Sequence, residues 1–418
     1  MPRRTGVADL PLHTGTVPRW LADRMRDLGS LIAEAIVENY GRKEFLRRLS
    51  DPLWFQSFGA VLGMDWHSSG ITTSVMFALK RGLAPMAKSL GIYVCGGRGK
   101  FSRMTPSELL EIADKTGLDG NALVQSSRLC AKVDNTAVQD GFQLYQHNFV
   151  LTDDGDWCVV QQGMNPLAKS ARRYHWCSLG LKSFVEEPHT AVIGENRGSI
   201  LNLTAKDANR TRSSILELSH EEPSRVMREI SSVVRPKSSI VVPEQLDLFL
   251  PSPEQIVLSS GRDCRMPAHH DVRSEDVDLK RLGSVLATAY ESNPSNFESL
   301  LLTPGLGPRT LESLTLVSEV ICGTPSRFTD PARYSFAHGG KDGHPFPVPC
   351  KIYDESIRIL SDAVERARLG VRDKIECLNR LHGVQLAVER NCEPLADFER
   401  TLEHERSRSA EWGGRVVG

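Results

Sequence analysis

Residues 301–320 read LLTPGLGPRTLESLTLVSEV. Leu301 and Leu302 close an apolar run that begins with Phe297 and Leu300. Leu311, Leu314, Val317 and Val320 then recur at a three-residue step. Both runs have a helical period. Between them Pro304, Gly305 and Gly307 end the first helix and force a tight turn. The stretch therefore predicts two helices joined by a hairpin. Backbone N–H groups at the start of the second helix suit an anion such as phosphate.

The hairpin core, P-G-L-G-P-R-T, resembles the helix-hairpin-helix, a grip on the DNA backbone without sequence specificity. The resemblance implies contacts from Gly305, Gly307, Arg309 and Thr310. Such a grip reads shape, so it gives a location and not a reaction. The chain has 51 Lys and Arg against 52 Asp and Glu, so any nucleic-acid surface is a local patch and not a global coat. Nine scattered cysteines without a C-x-x-C pair argue against a disulfide framework or a zinc knuckle and fit a reducing cytosol. No apolar run approaches ~18 residues, so the expectation is no export signal, no membrane span and a cytoplasmic, nucleoid-associated location.

The N-terminal part predicts a long helix over 16–41, with Trp20, Leu21, Met25, Leu28, Ile32 and Ala35 as its buried stripe. In DWHSSG (65–70), Asp65 and His67 point the same way on an extended strand and can share a metal or a water. Gly96 to Lys100 is a glycine-rich loop in which Arg98 and Lys100 suit DNA phosphates. Thr105 to Glu108 has the spacing of a capping box.

The densest chemistry lies between Gln139 and Trp176. Alternation predicts a strand hairpin turning at Asp153–Asp156, and the basic cluster after Asn165-Pro166 predicts a short helix carrying Lys169, Arg172, Arg173, Tyr174 and His175. Arg172 and Arg173 are candidate DNA contacts. Acid and amide on a hairpin, followed by a basic helix, resembles the order of parts in metal-dependent nucleases of the restriction-enzyme-like fold. The usual acid-x-lysine of the second strand is replaced by Gln161 and Gln162. The expected site gathers Asp65, His67, Asp140, His147, Gln161, Gln162, His175 and His189. Asp65, His67 and Asp140 would hold Mg2+ or Mn2+.

Residues 235–273 are rich in proline and serine and read as a connector. Within it Gln245-Leu246-Asp247-Leu248-Phe249 resembles the pentapeptide by which bacterial replication and repair proteins dock on the sliding clamp. Gln245 would bond at the rim, with Leu246, Leu248 and Phe249 as the apolar anchors. Asp330 follows Gly305 by 25 residues. That order resembles base-excision glycosylases and implies, as an alternative centre, Asp330 with His338 and Lys341 in the loop 329–348.

The expected fold is α+β: a mixed α/β domain with a small sheet over 1–234, the connector 235–273, and an all-α helix-hairpin-helix domain over 274–418. The strings DPLWFQSFG, DWHSSG, QDGFQLYQH, VVQQGM, RYHW and DPARYSFAHGGKDG resemble a prokaryotic family catalogued only as domain of unknown function seven-six-three. That resemblance implies no settled activity. The sequence points first to a clamp-tethered DNA nuclease. Its alternatives are a glycosylase centred on Asp330 and a non-enzymatic DNA-binding adaptor.

Overall fold

The computed structural model describes residues 10–11, 19–64, 70–168, 170–194, 196–233, 279–332 and 350–389. In chain order the helices are α1 (Arg19–Tyr40), α2 (Arg42–Ser50), α3 (Pro52–Val61), α4 (Gly70–Leu83), α5 (Ala87–Leu90), α6 (Thr105–Thr116), α7 (Gly120–Lys132), α8 (Asn209–His220), α9 (Pro223–Val233), α10 (Leu279–Ser292), α11 (Phe297–Leu301), α12 (Pro308–Cys322), α13 (Cys350–Arg366) and α14 (Val371–Glu389). The strands are β1 (Leu10–Pro11), β2 (Ile92–Arg98), β3 (Val138–Gln139), β4 (Gln143–Thr152), β5 (Trp157–Asn165), β6 (Ser170–Cys177), β7 (Ala191–Ile193), β8 (Ser199–Asn202) and β9 (Phe328–Thr329). The chain is thus mixed helix and sheet, as the α+β expectation has it.

The main sheet runs β1-β6-β5-β4-β2, entirely antiparallel, with β7 also on β6. A smaller sheet runs β3-β8-β9. Both faces of the main sheet are covered, which explains why β5 and β6 are buried at almost every position. One core gathers Val150, Cys158, Val160 and Cys177 of the sheet with α1–α4, α13 and α14. The other gathers Phe149, Leu151, Val159 and Trp176 with α6–α12. Each core contains residues from both sides of the expected 235–273 connector, so the segments after residue 279 complete cores that the first 233 residues begin. The connector itself lies outside the described residues.

The segment from Ser170 to His175 is a strand and not the helix expected from its basic residues. Asn165 Oδ1 accepts from the N–H groups of Leu167 and Ala168, and this Asx turn reverses the chain into β6. Along β6, Arg172, Tyr174 and Trp176 face one core and Arg173, His175 and Cys177 the other. Two further local expectations give way to tertiary contacts. Gly96 to Arg98 belongs to β2, not to a loop. Glu108 does not close a capping box; it accepts from the Gly96 N–H (2.6 Å) and from Lys80 (2.7 Å). Trp20, assigned to a buried stripe, is 68% exposed.

The hairpin takes the expected form. α11 and α12 flank a turn in which Gly305 adopts φ 83° and Gly307 caps α12. Leu306 is buried between them, while Pro304, Gly305 and Arg309 are exposed.

Candidate functional site

α7 ends in a five-residue π turn, Val133–Ala137. Such turns arise when an extra residue widens the helix, and they often mark functional positions. This one aims Asp134 at the sheet. Asp134 is fully buried and acceptor-only, and three donors surround it: Gln161 Nε2 (2.6 Å), Trp176 Nε1 (2.9 Å) and His189 Nε2 (2.5 Å).

The next links are decided by the same bookkeeping of donors. Gln161 Nε2 donates to Asp134 and to the Cys130 carbonyl (3.1 Å), so its Oε1 faces His147 Nδ1 at 2.7 Å. An amide oxygen only accepts, so the proton sits on Nδ1 of His147. Nε2 is left with its lone pair, and Ser127 Oγ donates to it at 2.8 Å. Burial holds His147 below the usual imidazole range, against the opposing pull of Gln161 and Asp134, so the ring is neutral at pH 7. The chain Ser127–His147–Gln161–Asp134 therefore has one donor and one acceptor at each joint.

Ser127 and His147 line a cleft of about 190 Å³, walled also by Ser102, Arg103, Arg128, Leu144 and Tyr145. Arg103, Arg128 and Tyr145 wall this cleft, and Arg98, Lys100 and Phe101 lie at the end of β2 and in the turn that follows it. Arg98, Lys100, Arg103 and Arg128 are exposed. Arg98 lies over the Tyr145 ring (5.8 Å) and Lys100 over the ring of Phe101 (5.4 Å), which is 48% exposed. A β-bulge between Leu144 and Gln146 breaks the strict alternation of β4. Beyond it the His147 ring bonds Ser127 on one face of the strand and the Gln146 amide bonds the Thr72 carbonyl on the other.

The cleft and the hairpin are neighbours. Lys132 Nζ donates to the Leu306 carbonyl (2.5 Å), and Gln139 Nε2 donates to the Pro308 carbonyl (2.8 Å). Arg128 and Lys132 are one helical turn apart on α7, about 6 Å along the axis. The Arg281 guanidinium lies beside Gly307.

A second buried polar cluster lies on the same face of the sheet. Asp330 receives Arg172 through both guanidinium nitrogens (2.9 Å each), with Ala332 N–H (2.9 Å) and Arg197 N–H (2.8 Å) completing its four acceptor positions. Asp140 accepts from the same Arg172 (2.9 Å), from Tyr174 Oη (2.6 Å) and from the Phe142 N–H (3.0 Å). Burial works against the Arg172 charge, yet Asp140 and Asp330 hold it above its ordinary range. Burial pushes the Asp140 carboxyl up.

These placements revise the expected site. His147, Gln161 and His189 come together, around an Asp134 that sequence reading missed. Asp140 sits with Arg172 and not with them. His175 is on the opposite face, its Nδ1 donating to the Leu49 carbonyl (3.0 Å), so it cannot share a ligand with Asp140. Gln162 is also displaced from the set; it donates to Tyr145 Oη (2.7 Å). Arg172 and Arg173 are fully buried and cannot touch DNA. Arg173 bonds Gln56 and Thr72, and burial lowers it to about 9. Thr310, in the first turn of α12, is also buried. Asp65, His67, Gln245–Phe249, His338 and Lys341 lie outside the described residues. Among the described residues no three His, Cys, Asp or Glu side chains are grouped to hold a metal, and no helix is long and apolar enough to cross a membrane.

The Ser127 signal was present in the sequence. Leu123, Val124, Ser127 and Cys130 share one helical face, and a hydroxyl on an apolar stripe requires a partner.

Residues 6–348 match the family described as a protein of unknown function, DUF763, and the chain belongs to that family. Comparison with curated proteins and with solved structures finds no match.

Proposed function

We propose that this chain is a DNA-processing protein of replication or repair. In this reading the 302–310 hairpin grips a phosphodiester backbone and leads the strand across α7 into the Ser127–His147 cleft, where the backbone is hydrolysed. The observation that carries the proposal is the Lys132–Leu306 contact, which sets the hairpin one turn of α7 from Arg128 at the cleft. Arg309, Arg128, Arg103, Arg98 and Lys100 then supply cations along one path. Phe101 and Tyr145 supply ring faces at its end, the combination that suits backbone and base of an unpaired strand. The Gln245–Phe249 pentapeptide adds a tether to the sliding clamp.

The grip is tested by fluorescence anisotropy of labelled duplex and single-stranded oligonucleotides against the full chain, with Mg2+, Mn2+ or EDTA. Arg309→Glu is exposed and costs the fold little. It is expected to weaken binding at least tenfold, roughly 1.4 kcal/mol. Equal affinity for wild type and variant would remove the hairpin from the account. For the tether, retention of the chain on immobilised clamp is expected to vanish in Phe249→Ala, and retention that survives the substitution would contradict it.

The glycosylase alternative has less support. Every acceptor position of Asp330 is occupied by a protein donor, and its side chain is fully buried.

A further inference from the structure

We infer that Ser127 and His147 are a nucleophile and its general base, and that their substrate is a phosphodiester. The inference rests on the proposed DNA grip for its substrate class, but the pair stands on its own geometry. Ser127 Oγ donates to His147 Nε2 at 2.8 Å, within the reach required of such a pair. The base is in turn held by a third group: Gln161 Oε1 accepts from Nδ1, fixing the tautomer in which Nε2 can take a proton. Asp134 and the Cys130 carbonyl clamp the Gln161 amide so that it cannot flip. Gln161 and Asp134 are positioning residues. Arg103 and Arg128, beside the pair in the cleft wall, favour an anionic phosphodiester over a neutral carboxyl ester.

The reaction balances without a cofactor. Ser127 Oγ bonds to phosphorus as the bond from phosphorus to the leaving sugar oxygen breaks. The hydroxyl proton passes to His147 Nε2 and then to the leaving alkoxide. Water next attacks the serine phosphodiester, gives its proton to His147, and the Ser127 oxygen departs and is reprotonated. The products are two strand ends, one bearing the phosphate.

The test uses the full chain with a fluorophosphonate reagent, in which serine displaces fluoride from phosphorus, and with bis(p-nitrophenyl) phosphate as a diester substrate. Peptide mass spectrometry is expected to place the label on Ser127. Ser127→Ala should abolish both labelling and p-nitrophenolate release. His147→Asn should slow both by roughly 100-fold or more, with circular dichroism and Tm showing that each variant is folded. The labelling rate should fall only when pH drops below the usual imidazole range. Gln161→Leu should move that midpoint still lower, because the amide oxygen supports the protonated ring; a purely structural role would leave the midpoint where it is. Wild-type chain without label on Ser127, or labelling indifferent to His147→Asn, overturns the inference. Arg309→Glu separates the two proposals. Labelling that persists while DNA binding is lost keeps the pair, and DNA binding without any Ser127 label keeps only the grip.

Discussion

Asp330→Asn is expected to destabilise the protein by about 3–5 kcal/mol, the range for removing one partner of a buried ion pair. The Asp330 side chain is fully buried and its carboxylate accepts four hydrogen bonds, two of them from Arg172. The loss is not confined to one bond. An amide keeps a single acceptor oxygen, so at least one Arg172 N–H and one backbone N–H lose their partner in a site closed to water. Of the two carboxylates that balance the Arg172 charge, Asp140 then remains. The position also ties distant parts of the chain: Asp330 follows β9, while Arg172 lies 158 residues earlier on β6. Equilibrium urea unfolding followed by circular dichroism reads the effect as a lower midpoint at unchanged slope. A variant as stable as wild type would mean that the cluster is not the buried staple described, and would reopen a chemical role for Asp330.

Gly96→Ala is the second substitution with a large expected effect. Gly96 has φ 82°, and a Cβ there would sit 2.2 Å from the His147 carbonyl oxygen and 2.6 Å from Thr105 Oγ1. The backbone strain costs about 1–3 kcal/mol, and forcing atoms into a packed site adds about 1–3 kcal/mol. Gly99 is a matched control. It also has positive φ, at 60°, but a Cβ there meets nothing within 4 Å, so Gly99→Ala carries only the conformational cost of about 1–2 kcal/mol. Unfolding midpoints should rank wild type, Gly99→Ala, Gly96→Ala in falling order. Equal losses at the two positions would show that the close approach of β2 to His147 is not as described.

These residues show what was legible in the sequence and what was not. The hairpin was readable because its cause is local: apolar spacing on two helices, the fixed φ of Pro304 and the positive φ that Gly305 supplies. Gly96 was read as part of a loop and lies in β2, because its real requirement is a neighbouring strand's carbonyl. β6 was misread as a helix because two adjacent arginines look like a solvated face, and their partners are remote. Arg172 needs Asp140 and Asp330; Arg173 reaches Gln56. The histidines told a partial story. His147 and His189 do meet Gln161 around one carboxylate, but strand alternation sent His175 to the opposite core. Ser127 and Asp134 carry no motif, and only a hydroxyl on an apolar helix face and a buried acid at a helix end hinted at them.

In the proposed function the hairpin and the cleft form one path for a phosphodiester backbone. Its most direct test is the salt dependence of duplex binding by the full chain, measured by anisotropy for wild type, Arg309→Ala, Arg128→Ala and the double variant. Each phosphate neutralised contributes a slope of about −0.9 in log K against log salt. A steep wild-type slope is expected, flattening by roughly 0.9 for each arginine removed and by the sum for both. A wild-type slope near zero, or one that neither substitution changes, would contradict it.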